Sequence, residues 1–277
     1  MKKVIRVIWV GIGTVIFIYA AVCIYIYFAQ DKLFYYPTKG MAVDPAELGF
    51  EYEEIFLNVG ESDSICVWFF PQDINYLKHK TILFCHGNAG NLSYRMETIA
   101  FLKKLGVNVL LFDYRGFWKS SGKSSELNTY EDAMACYNWL VDVKGVKPEN
   151  IIIFGRSLGG AVAIELATKE DCAGLIVESS FTSAAAIGSH AFPMFPIKLL
   201  AKYKYDSINK IKDVNCPILI THSSEDDMIP FRMGQMLFEQ AREPKQFFTL
   251  SGGHNQRLYF SNPEYFEAMK KLIEGNH

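Results

Sequence analysis

Ser157 lies in the run Gly155-Arg156-Ser157-Leu158-Gly159-Gly160, which follows strand-forming residues 151–154 without a spacer and leads straight into an alanine-rich helical stretch. The letters GxSxG recur by chance; the strand–turn–helix context gives the glycines a reason. A serine held in a sharp, strained turn needs small residues two before and two after it, or strand and helix collide. Gly155 and Gly159 meet that demand. So placed, a serine is a nucleophile only if a base takes its proton, a third group orients the base, and two donors receive the oxyanion. The stretch TLSGGHNQR places His254 in a glycine-containing loop after a late strand, and LITHSSEDDMIP places Glu225, Asp226 and Asp227 after the strand before it. Asp226 is the leading acid; Glu178, which ends an earlier strand, is another position for it. ILFCHGNAGN ends a further strand in a loop ahead of a helix, where backbone N–H groups can face an anion, and His86 within it reads as a support for that loop.

These residues need a scaffold that brings strand ends together. Stretches 51–59 and 64–70 read as paired edge strands separated by Gly-Glu-Ser-Asp. Strands then alternate with helices: TILFC before a helix over 92–104, VNVLLFD before one over 126–143, and IIIFG before the Ser157 helix. GLIVE precedes an irregular stretch, PILITH a helix over 231–242, and QFFTL a helix over 263–274 that starts well at Asn262-Pro263. Continuous apolar strands alternating with amphipathic helices predict an α/β fold, its mostly parallel central sheet covered on both faces. Within 126–143, Tyr130, Ala133, Met134, Tyr137, Leu140 and Val141 recur at helical spacing and are expected in the core. Residues 181–214 mix small residues, prolines and aromatics. They form either a short cap with apolar walls from Phe192, Met194 and Phe195, or an ordinary irregular connection.

Together these motifs resemble the α/β-hydrolase superfamily, and within it the membrane-anchored serine hydrolases that carry an HGNAGN loop and a single N-terminal anchor. The resemblance runs from about residue 50 to the end. It rests on His86 to Asn91, FDYRGFWKSSG from Phe112, GRSLGG, HSSEDDMIP and GGHN, in that order. It implies Ser157 as nucleophile, His254 as general base and then acid, Asp226 as the carboxylate orienting it, and the backbone N–H groups of Asn88 and Leu158 as the oxyanion hole. One departure is Ser223, where relatives have glycine after the strand-end histidine, which is expected to shift the acid loop slightly. GFWKSSGKSS, from Gly116, imitates a phosphate-binding loop but has five residues between the glycine and GKS where that loop has four. The resemblance explains it as the loop after the fourth strand.

Composition narrows the partners. Of 277 residues 50% are hydrophobic and 21% charged, enough for a substantial core, and the net charge of −2 with no basic stripe excludes a nucleic-acid partner. The six cysteines form no CxxC pair and read as buried hydrophobes; no histidine has metal-ligand spacing, and neither metal nor other cofactor is expected. Residues 4–28 hold one charge, Arg6, followed by 22 uncharged residues, enough to span a bilayer. A cleaved signal has a shorter apolar run ending in small residues, whereas here the run continues through IYIYF, and Val22 stands where a lipoprotein signal needs a small residue before Cys23. Gly11 and Gly13 lack the strand–helix unit of a dinucleotide site. The expected organisation is a transmembrane anchor at 4–28, a juxtamembrane segment at 29–50 and an α/β-hydrolase domain at 51–277. Lys2, Lys3 and Arg6 outweigh Lys32 and Lys39, which puts the N-terminus in the cytoplasm and the catalytic domain on the opposite side. Five cysteines in the globular part weigh mildly the other way.

The expected chemistry is acyl transfer from an ester to water through an acyl-enzyme, on a small-molecule or acylated, lipid-like substrate reached along the membrane. Eukaryotic relatives with this oxyanion loop remove palmitate from protein cysteines, which makes a thioester the alternative bond. A serine aminopeptidase-like activity would need an acidic or polar recess for a substrate's amino end. A catalytically silent membrane-bound binding module would have no physical need for serine, histidine, acid and elbow together.

Overall fold

The computed structural model describes residues 1–256 and 262–275; residues 257–261 and the last two residues of the expected domain, Asn276 and His277, lie outside the described residues. The apolar runs form eight strands: β1 (Glu53–Val59), β2 (Asp63–Phe70), β3 (Thr81–Cys85), β4 (Asn108–Phe112), β5 (Ile151–Arg156), β6 (Gly174–Glu178), β7 (Ile218–Ser223) and β8 (Lys245–Leu250). They make one sheet in the order β8-β7-β6-β5-β3-β4-β2-β1. β2 runs antiparallel to both neighbours, and every other pairing is parallel.

Alternation along each strand divides the core between the two faces. Leu83, Cys85, Ile151 and Ile153 pack on one side with helices α3 (Glu126–Asn138) and α4 (Leu158–Ala167). Ile82, Phe84, Ile152 and Phe154 pack on the other with α2 (Met96–Lys104) and α9 (Pro263–Glu274). Each fully buried side chain of this size is worth about 1.5–3 kcal/mol, so the central strands are a rigid platform. Their carboxyl ends share one edge of the sheet, where ligands bind in open α/β folds.

Local chemistry sets the helix limits. The stretch 92–104 starts as a 3₁₀ turn, Leu92–Arg95, capped by the Asn91 side chain, before α2 begins. The stretch 126–143 is α-helical to Asn138 and ends in a wider π-turn, Trp139–Val143. Ala133, Tyr137 and Leu140 are buried there, with Tyr130, Met134 and Val141 half-buried against them. Helix α8 is Phe231–Gln240, and Asn262 caps α9. Between β6 and β7, residues 181–214 form a cap from α5 (Ala184–Ala191), α6 (Ile197–Leu200) and α7 (Ser207–Lys210).

Helix α1 (Lys2–Phe34) runs unbroken for 33 residues, past the expected anchor and into the expected juxtamembrane segment. None of its most apolar 18-residue stretch is buried in the protein. Its later turns rest on the cap: the Tyr19 hydroxyl donates to the Met194 carbonyl at 2.9 Å, and the Tyr19 ring stacks on Phe195 with centroids 5.5 Å apart. Beyond α1, a two-residue parallel ladder pairs Tyr36 with Ala89 and Pro37 with Gly90.

Candidate functional site

Ser157 joins β5 to α4 with φ 55° and ψ −120°, a backbone rare for a residue with a side chain. Its neighbours impose that turn. A Cβ at Gly159 would stand 1.9 Å from the Cys85 carbonyl oxygen, and one at Gly155 2.2 Å from the Gly159 oxygen. Only glycine allows α4 to start this close to the ends of β3 and β5. Leu158 is the first residue of α4, where backbone N–H groups lack intrahelical acceptors. The loop after β3 lies beside the serine, since a Cβ on Gly87 would touch Ser157 Cβ at 3.5 Å.

His254 reaches the serine from the loop after β8. The Ser157 hydroxyl and His254 Nε2 are 3.2 Å apart, and His254 Nδ1 lies 2.8 Å from Asp226 Oδ2. A carboxylate only accepts, so Nδ1–H donates to Asp226 and Nε2 is left to accept from the serine. Ser157 is 9% exposed and His254 6%, reachable but largely dry. The other Asp226 oxygen accepts the N–H groups of Met228 at 2.9 Å and Ile229 at 2.7 Å. Burial pushes this carboxyl up, but the hydrogen bond and charge of His254, with those two amides, outweigh it and hold Asp226 below the usual carboxylate value.

The remaining acids have other partners. Asp227 accepts the His254 backbone N–H at 2.8 Å, and Glu225 accepts the Gly252 N–H at 2.7 Å, so both hold the histidine loop rather than the ring. Glu178 pairs with Arg156 at 2.9 Å and accepts from the Tyr265 hydroxyl at 2.7 Å. Arg156 also donates to the His254 carbonyl, tying the residue before the serine to the histidine. Ser223 stitches the acid loop to the histidine loop: its hydroxyl donates to the Gly252 carbonyl and accepts the Glu225 N–H at 3.1 Å.

The loop carrying Asn88 is held from two sides. His86 is fully buried, its ring nitrogens 2.6 Å from the Gly87 oxygen and 3.1 Å from Asp113 Oδ1. On the other side the Asn88 amide donates to the Phe34 carbonyl at 2.7 Å, and the Tyr36 N–H donates to the Asn88 carbonyl at 2.8 Å. The GFWKSSGKSS loop braces the sheet edge, with the Cys66 N–H donating to Ser120 Oγ at 2.9 Å.

A cavity of about 480 Å³ opens above Ser157, Leu158 and Asn88. The cap contributes Ile187, Phe192 and Ile197; helix α1 contributes Ile26, Gln30, Leu33 and Phe34. Of the three apolar cap residues expected to wall it, Phe192 does, Phe195 stacks on Tyr19, and Met194 is 80% exposed. Sequence reasoning missed the part played by α1 and by Arg156. The signals were the aromatic run FYY that begins on the last residue of the helix and a charge inside an otherwise apolar strand end.

The family model described as alpha/beta hydrolase fold matches residues 80–202. An uncharacterized protein of Mycobacterium tuberculosis is 32% identical over 263 residues, 95% of this chain and 93% of that protein. Alpha/beta hydrolase domain-containing protein 17B of Homo sapiens is 34% identical over 195 residues, 70% of this chain and 66% of that protein. An esterase of Pyrococcus furiosus superposes with a TM-score of 0.71 at 19% identity, over 87% of this chain and 97% of that one, a likeness of fold.

Proposed function

We propose that the chain, which belongs to the α/β-hydrolase superfamily, is a membrane-anchored serine hydrolase that cleaves a carboxylic ester or thioester of an acylated or lipid-like substrate. The observation that carries this reading is the continuous relay from Ser157 Oγ through His254 to Asp226, at 3.2 and 2.8 Å, around a serine in a strained turn. Ser157 Oγ attacks the acyl carbon and passes its proton to His254 Nε2. The oxyanion takes hydrogen bonds from the N–H groups of Asn88 and Leu158. As the tetrahedral intermediate collapses, His254 returns the proton to the departing alcohol or thiol, leaving the acyl group on Ser157. Water, deprotonated by His254, attacks that acyl-enzyme, and the carboxylic acid leaves. No cofactor takes part.

Helix α1 supports the membrane reading by its length and unburied apolar stretch. The surplus of Lys2, Lys3 and Arg6 before that stretch supports a cytoplasmic N-terminus with the catalytic domain opposite. An aminopeptidase would want a carboxylate in the cavity for an ammonium group; among the described lining residues Asp227 alone carries one, and one of its oxygens accepts the His254 N–H.

The test is covalent labelling of the full-length protein in detergent by a fluorophosphonate. Labelling is expected in the wild type and lost in Ser157→Ala and His254→Ala. Folded wild type that takes no label would overturn the hydrolase reading in favour of a membrane-bound binding module.

A further inference from the structure

We infer that the last turns of α1 are a wall of the acyl-binding cavity, so that Ile26, Leu33 and Phe34 lie against the substrate's acyl chain and select its length; this rests on the serine hydrolase reading above. The helix is therefore both tether and specificity element.

Position along the helix carries the argument. The uncharged run 7–28 is 22 residues long, about 33 Å of α-helix, close to the thickness of a hydrocarbon core. Ile26 is in the last turn of that run, yet it is buried and lines the cavity. Gln30, Leu33 and Phe34 continue the same wall upward, and the Asn88 amide bonds to the Phe34 carbonyl. One continuous lining thus runs from the end of the membrane-spanning stretch to the serine.

The cap is fixed to α1 at this level. The Gln30 side chain donates to the Leu200 carbonyl at 2.9 Å and accepts the Lys202 N–H at 2.8 Å, and Tyr203 donates to Asp31 at 2.5 Å. Beside the junction the cap presents Leu199, 84% exposed, and about three helical turns earlier on α1, at the level of Tyr19, it presents Met194, 80% exposed. The Lys202 ammonium sits 4.7 Å above the Tyr27 ring. Exposed apolar side chains next to a membrane helix, with a lysine at their border, fit insertion into the headgroup boundary. An acyl chain lying in that leaflet would meet the lining at Ile26, the end of the wall nearest the membrane.

Full-length protein in phosphatidylcholine vesicles would be assayed on a series of p-nitrophenyl esters from butyryl to hexadecanoyl. Filling the wall with Ile26→Trp should lower the ratio of kcat/KM for long over short chains by about tenfold. Ile24→Trp, an exposed position on the same helix, should leave that ratio as in the wild type. A hexadecyl fluorophosphonate carrying a diazirine near its chain end needs no mutation: after reaction at Ser157 and illumination, cross-links should map to residues 26–34. Labelled protein whose cross-links all map elsewhere, or an unchanged chain-length ratio in folded Ile26→Trp, would overturn the inference while leaving the hydrolase standing. Absence of labelling and hydrolysis in the wild type would instead overturn the hydrolase reading on which it rests.

Discussion

The side-chain amide of Asn88 donates to the carbonyl of Phe34, the last residue of α1, at 2.7 Å, and the chain returns the bond when the Tyr36 N–H donates to the Asn88 carbonyl at 2.8 Å. The loop proposed to hold the oxyanion is thereby tied to the end of α1. A hydrogen-bond donor contributes to transition-state stabilisation only when it is fixed where charge develops.

Asn88→Ala keeps the backbone N–H but frees the loop from Phe34. The expected result is a kcat lower by about 10- to 100-fold, the scale of a misplaced catalytic group, with KM for a short ester changed much less. Steady-state kinetics on the full-length variant in detergent checks this. A wild-type kcat would show that the Asn88 side chain does not position the loop.

Asp226 and Glu178 both end strands, but their partners differ. Asp226→Asn removes the acceptor that fixes the His254 tautomer and is expected to lower kcat by about 10³–10⁴-fold with little effect on folding. Glu178→Gln disturbs the buried pair with Arg156 and should show first as a lower melting temperature. Because Asp226 is held below the usual carboxylate value, its contribution to stability is present above that value and is lost only as pH falls through the depressed one. Loss of activity in mild acid is therefore expected to come from another group. Rates and melting curves of the two variants, compared side by side, separate the assignments, and the reverse pattern would move the acid to Glu178.

The contrast between these two acids also marks where sequence stops being informative. The serine turn was legible because its demands are local: glycines two residues either side, a strand before and a helix after. The succession of strands and helices along the chain was legible because buried parallel strands are continuous apolar runs. Which acid faces the histidine was not, since it depends on Glu178 being claimed by Arg156 and by Tyr265, 87 residues away. The wall formed by α1 was hidden for a different reason. Apolarity records that Ile26 avoids water, but not whether it meets lipid or a cap some 160 residues further along the chain.

His222 gives a pH-dependent effect of defined sign. Its Nε2–H donates to the Ile229 carbonyl at 2.9 Å, while Nδ1 is buried with no hydrogen-bond partner among the described residues. Burial lowers its pKa below the ordinary 6.5, against smaller opposing contributions from the Ile229 bond and Asp226. The unfolded chain then binds a proton that the folded protein refuses, so this stability is present above about 6.5 and is lost as pH falls below it. The slope is about 1 kcal/mol per pH unit for one such group. Urea unfolding in detergent at several pH values from neutrality downward should show a slope in the wild type that is flatter by that amount in His222→Gln. Parallel slopes would mean that His222 titrates normally in the fold.

Under the proposed anchoring by α1, Cys172 and Cys216 offer a chemical readout of the side on which the hydrolase-fold domain lies. Their sulfur atoms are 3.1 Å apart, in the loop between α4 and β6 and just before β7, and both are thiols in this structure. The hydrogen bond to Cys216, with burial, pushes the Cys172 thiol well above its ordinary value, so Cys172 is a sluggish nucleophile, and joining the two sulfurs needs an external oxidant. A thiol–disulfide oxidant such as operates outside the cytoplasm would take two electrons while the two thiols release two protons, and the sulfurs would join. With the domain on the outer side, protein isolated without reductant and trapped with an alkylating agent should yield a Cys172–Cys216 cross-linked peptide, absent in Cys216→Ser. Recovery of both residues as alkylated thiols from intact cells would place the domain on the reducing side and reverse the proposed topology.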